Sequence, residues 1–108
     1  MSWITRRFEY YFFRVHAGTD DLAAQVFCKS GNETVAILAF HYKLNATRAT
    51  ISQNGATILL SYPAEQLHTV MEILRQERPL AVHYLDSSKW GYLTSGFEPV
   101  GEEEGIDG

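Results

Sequence analysis

The segment Ala56 to Leu85, ATILLSYPAEQLHTVMEILRQERPLAVHYL, constrains the fold of this chain more than any other. It reads as a strand, one helix and a second strand, with a proline at each end of the helix. Pro63 suits a first helical turn, where a missing N–H costs nothing. Glu65 follows, where the positive end of the helix dipole favours an acid. Leu67, Val70, Met71 and Leu74 then recur at helical spacing, while Glu65, Glu72 and Arg75 fall on the opposite side. Arg75 and Arg78 complement the far end of the dipole and Pro79 stops the helix. An amphipathic helix over about 63–77 is therefore predicted, laid on a sheet by its apolar stripe.

The sheet is supplied by the rest of the chain. Arg6 to His16 has no glycine or proline and is rich in aromatic residues, so it reads as one long strand. Alternation places Phe8, Tyr10, Phe12, Arg14 and His16 on one face and Arg7, Glu9, Tyr11, Phe13 and Val15 on the other. Neither face is cleanly polar. Leu22–Lys29 and Glu33–Tyr42 follow as strands joined by Ser30-Gly31-Asn32, and together the three read as an antiparallel meander. The near-continuous apolar run in the third suggests a central strand covered on both sides. Asn54-Gly55 lies between Thr50–Gln53 and Ala56–Leu60, the signature of a two-residue type I′ hairpin turn. Leu80–Leu85 and Trp90–Thr94 complete the set around the turn Asp86-Ser87-Ser88-Lys89. The expected fold is α+β: a mainly antiparallel sheet of about seven strands, open or strongly curled, with the helix between strands five and six.

The chain has 108 residues, enough for one domain, expected over 1–96. Five of its thirteen acids lie after Phe97, leaving nine lysines and arginines against eight acids in residues 1–97. The body is thus nearly neutral, and 97–108 reads as an acidic, disordered tail. That balance lacks the strong basic field of a nucleic-acid binder. The single cysteine, Cys28, excludes an internal disulfide and a cysteine-rich zinc site. The aromatic run near the N-terminus is interrupted by Glu9 and Arg14 and has no small-residue cleavage site, so it does not read as a signal peptide. No run is long enough to span a membrane. A cytoplasmic location is expected.

Residues that could carry chemistry are few. His16, His41 and His83 fall on strands and His68 on the helix, with no local spacing that places two ligands together, so no metal is expected. Cys28 has no neighbouring base and reads as a small buried hydrophobe. Asp86, Ser87, Ser88 and Lys89 read as a turn rather than as a catalytic set. No glycine-rich loop joins a strand to a helix. No enzyme and no cofactor are expected.

The aromatic residues are the feature that invites a function. Six Phe, six Tyr and two Trp concentrate in strand-like segments, and one helix cannot cover two faces of a sheet. Phe8, Tyr10, Phe12, Arg14, Trp90 and Tyr92 are the candidate interaction surface. The favoured expectation is a non-catalytic module that self-associates, as a homodimer, or binds a protein partner. The alternative is single-stranded nucleic acid stacked on Tyr10 and Phe12 and gripped by Arg6, Arg7 and Arg14. A weaker alternative is a small apolar ligand held among Val35, Ile37 and Phe13.

Overall fold

The computed structural model describes residues 3–18, 21–77 and 80–95. Among them are eight strands: β1 Trp3–Phe8, β2 Tyr10–Val15, β3 Leu22–Ser30, β4 Glu33–His41, β5 Arg48–Ile51, β6 Ile58–Pro63, β7 Leu80–Leu85 and β8 Trp90–Ser95. They form two open sheets, one of three strands ordered β1-β7-β8 and one of five ordered β2-β3-β4-β6-β5. The fold is α+β as expected, but the single curled sheet of about seven strands is replaced by two separate layers. The expected strand five is β6, so the helix lies between β6 and β7.

The predicted first strand is broken at Glu9, and its halves enter different sheets. The cause is a long-range contact. The Glu9 carboxylate accepts from Ser30 Oγ (3.2 Å) and from the Gly31 N–H (3.4 Å), tying the break to the β3–β4 turn. The Glu9 N–H donates to the Lys29 carbonyl (3.1 Å) beside Tyr10, which already pairs with Lys29. Two residues thus oppose one, the geometry of a β-bulge, and the strand bends out of one sheet into the other.

β2, β3 and β4 form the expected meander. β6 then inserts beside β4 in parallel, with β5 outside it. Composition explains the order. Ile58-Leu59-Leu60 is apolar on both faces and suits a central strand, whereas Arg48-Ala49-Thr50-Ile51 alternates and suits an edge. The connection from β4 to β5 is anchored by Asp21, which accepts from the Lys43 N–H and pairs with His41 Nδ1 (3.2 Å). The β5–β6 turn is longer than the predicted type I′ form. Gly55 has a positive φ of 73° but Asn54 does not, and Ser52 N–H bonds Thr57 O (2.8 Å) across the loop. Asn54 contributes its side chain instead, accepting from Ser52 Oγ (2.6 Å) and the Ala56 N–H (3.0 Å).

Pro63 closes β6 and precedes a 3-10 turn, Ala64–Gln66, so the helix α1 runs Leu67–Gln76 rather than from 63. Pro79 and Arg78 lie outside the described residues, as does the predicted tail. Val70 and Leu74 of the apolar stripe are buried, with Leu67 and Ile73 packed beside them.

The core lies between the layers. Ladder partners point to the same side, so Ala24, Val26 and Cys28 share an inner face with Ala36, Leu38, Phe40, Ile58 and Leu60. Phe8, Leu80, Val82 and Tyr84 of the three-stranded sheet meet them, and the helix joins the same cluster. Phe8, predicted as part of an interaction surface, is therefore a core residue at 5% exposure. Arg6 also points inward and donates to Gly55 O (3.0 Å), stitching β1 to the β5–β6 turn. Among the described residues, no helix is long and apolar enough to cross a membrane.

Candidate functional site

Two layers leave two outer faces, and the candidate residues divide between them. On the five-stranded sheet, ladder register places Tyr10, Phe12 and Arg14 of β2 beside Lys29, Phe27 and Gln25 of β3. Ile37 of β4 and Leu59 of β6 continue the row from Phe27. Tyr10 is 60% exposed and Phe12 48%, while Phe27, Ile37 and Leu59 are half-buried by their neighbours alone. The Phe12 and Phe27 rings stack at 4.9 Å, and the Arg14 guanidinium lies 5.0 Å from the Phe27 centroid. Large rings in contact and a cation over one of them make a continuous apolar patch with a positive rim.

β2 exposes apolar side chains on its other face as well. Tyr11, Phe13 and Val15 share a side with Cys28, Val26 and Ala24, yet Phe13 is 41% and Val15 69% exposed. The second layer covers β3 and β4 and stops short of β2.

The outer face of the three-stranded sheet is a grid three residues wide. Its rows are Trp3-Leu85-Trp90, Thr5-His83-Tyr92 and Arg7-Ala81-Thr94. Trp3 lies 5.6 Å from both Trp90 and Tyr92, and Trp90 lies 5.4 Å from Tyr92. His83 stacks on Tyr92 (4.7 Å) and bonds Thr5 Oγ1 (2.9 Å), and burial lowers its pKa. A shallow groove of about 410 Å³ opens over the small Ala81, walled by Arg7, His83, Tyr92 and Thr94. Trp90 and Tyr92 thus sit on a different surface from Tyr10, Phe12 and Arg14.

The arginines do not act together. Arg6 is committed to Gly55 O, Arg7 stands on the three-stranded face and Arg14 on the five-stranded one. The histidines are also dispersed. His16 bonds Gln25 (3.2 Å), His41 pairs with Asp21, His68 lies 3.9 Å from Glu72 and His83 bonds Thr5. Among the described residues no three His, Cys, Asp or Glu side chains come together as metal ligands. Cys28 is fully buried in the core, and desolvation pushes its thiol up to about 12. Asp86 and Lys89 close their turn on each other at 3.6 Å, and Asp86 accepts from the buried Tyr84 hydroxyl (2.9 Å). Val35, Ile37 and Phe13 do not enclose a common space. Ile37 faces outward, Val35 is buried at a bulge, and Phe13 lies on the inward side of β2.

Trp3, Phe27 and Leu59 do not appear among the candidate residues read from the sequence, and Ile37 appears there only as part of a ligand cavity, not of the sheet surface. Period-two alternation sets Phe27 and Ile37 on the face opposite Val26, Cys28, Ala36 and Leu38, which is the available signal; which face is covered depends on the crossing of the two sheets. No protein-family model, curated protein or solved structure matches the chain.

Proposed function

We propose that this chain is a small cytoplasmic, non-catalytic interaction module that self-associates or holds a protein partner through an aromatic sheet face. The observation that carries this reading is the row Phe12, Phe27, Ile37 and Leu59 with Tyr10 beside it, an outer face that no other described element covers. Contiguous apolar surface of this kind costs solubility and recurs where a partner covers it. Aromatic residues with an arginine at the rim are the composition of protein interfaces.

Native mass spectrometry of untagged protein, purified gently at low salt, tests the reading. A multiple of the chain mass or a bound protein supports it. A bare monomer that retains no protein overturns it. Single-stranded nucleic acid is the second reading, favoured by Arg14 and Lys29 flanking Tyr10, Phe12 and Phe27 on one face. It predicts an oligonucleotide adduct, affinity that falls steeply with salt and a gain when residues after Phe97 are removed; flat salt dependence sinks it.

A further inference from the structure

The open edge of β2 is chemically unlike the edges formed by β5 and β1. It is also richer in large apolar side chains than β8, which lacks charge and proline too but carries Gly91, Thr94 and Ser95. β5, at the far side of the same sheet, is short and carries Arg48 and Thr50. β1 carries Thr5 and Arg7 on its outer face. Such polar and charged residues, like prolines, keep an edge from pairing with another chain. Tyr10–Val15 has no proline, and its one charge, Arg14, lies over Phe27.

The register shows which backbone groups that edge presents. The His16 N–H donates to Ala23 O (2.9 Å), one step beyond the Val15–Ala24 pair. Hydrogen-bonded pairs alternate along an antiparallel ladder, so Arg14, Phe12 and Tyr10 direct their backbone groups at β3. Tyr11, Phe13 and Val15 direct theirs outward.

We infer that the partner of this edge is a second copy of the chain, paired antiparallel β2 to β2 with Phe13 on the two-fold axis. This rests on the interaction-module reading and names its partner. A continuous sheet requires paired residues to share a face, which leaves registers centred on Tyr11, Phe12, Phe13 or Arg14. Centring on Phe13 pairs Tyr11 with Val15 of the second copy, Phe13 with Phe13 and Val15 with Tyr11, so all outward groups are used, for about six ladder bonds. Centring on Phe12 uses only Tyr11 and Phe13, for about four, because the bulge at Glu9 interrupts the ladder. A Tyr11 centre makes fewer still, and an Arg14 centre sets two guanidiniums directly opposite, which is repulsive. In the Phe13 register each Arg14 instead faces Phe12 of the other copy, placing the cation between two rings. The exposed Phe13 and Val15 side chains are buried in the same step. The product is one sheet of twice five strands, with the aromatic patches of both copies on one side.

Single-cysteine crosslinking tests the register in the full chain. Cys28 is buried and unreactive, so it adds no background. In the proposed dimer the two residues at position 13 have Cα atoms about 5.5 Å apart, within disulfide reach. Two residues at position 11 are separated by about 13 Å along the strand. Phe13→Cys is expected to crosslink under mild oxidation at least tenfold faster than Tyr11→Cys and faster than Phe12→Cys. Phe13→Lys sets two ammonium groups opposite each other and is expected to weaken association at least tenfold. Because Phe13 is already 41% exposed, that variant should keep the wild-type melting temperature within a few degrees. Fastest crosslinking at position 12, or a wild-type dimer that position 13 cannot capture, overturns this pairing and leaves the module reading standing. A wild type that stays monomeric and binds no protein overturns both.

Discussion

Gly91 on β8 is hemmed in by the neighbouring strand β7 and by Leu60 and Ala49 of the facing layer, and substituting alanine there tests the packing directly. A Cβ at this position would lie 2.5 Å from the His83 carbonyl oxygen, 3.2 Å from Leu60 Cδ2 and 3.5 Å from Ala49 Cβ. Carbon and carbonyl oxygen normally meet at about 3.3 Å or more, so the closest contact is short by nearly 1 Å. The obstructing atom is backbone of the neighbouring strand and cannot rotate away. The β7–β8 ladder must shift, and the Leu60 side chain must also give way slightly. Overpacking of this kind costs about 1–3 kcal/mol, and a rigid backbone neighbour puts Gly91→Ala near the upper end, about 3 kcal/mol. With a urea m-value of about 1.5 kcal/mol/M, the unfolding midpoint should fall by about 2 M. Urea titration followed by far-UV circular dichroism measures this. Trimming Leu60 to Val should not rescue the variant, since the carbonyl sets the cost. A midpoint within about 0.3 M of wild type would refute the close approach of Gly91 to the His83 carbonyl.

Other perturbations have defined outcomes. Leu74→Ala removes a fully buried side chain that fastens the helix to the core and should cost about 2–5 kcal/mol in the same titration. Glu9→Ala frees Ser30 and Gly31 from the strand break and should cost about 1 kcal/mol; no change would mean the break is held by other contacts. Burial raises Cys28 from 9.0 and Tyr62 from 10.0, both to about 12. The unfolded chain therefore releases these protons first, so their contribution to stability should be level below pH 8 and decline from about pH 9 towards 12. Stability constant to pH 11 would contradict their burial. His83 runs the other way: its pKa lies below the ordinary 6.5, so its contribution is present above that value and is lost as pH falls through the folded-state pKa. His83→Gln should flatten the acid side of the stability profile.

The elements legible in the sequence are those specified by local pattern. Leu80–Leu85, the turn at Asp86 and the strand from Trp90 are in place, and Val70 and Leu74 point into the core as helical spacing requires. What was not legible depends on distant partners. Nothing between Arg6 and His16 breaks a strand locally; Glu9 does so because its carboxylate accepts from Ser30 Oγ and the Gly31 N–H. Asn54-Gly55 favours a tight turn, but the Asn54 side chain bonds Ser52 and Ala56 and a longer loop results. The parallel insertion of β6 beside β4 has no sequence marker beyond its unbroken apolarity. The same limit governs the candidate surface. Alternation grouped Phe8 with Tyr10 and Phe12, but the bulge between them reverses that relation and sends Phe8 into the core.

Amide hydrogen exchange along β2, read residue by residue at low and high protein concentration, tests the central claim most directly. Phe12 and Arg14 bond to β3 within one chain and should be protected at every concentration. Tyr11, Phe13 and Val15 face the open edge, and the proposed pairing predicts that their protection rises with concentration while that of Phe12 and Arg14 does not. Fast exchange at Tyr11, Phe13 and Val15 across the whole range would contradict association through this edge.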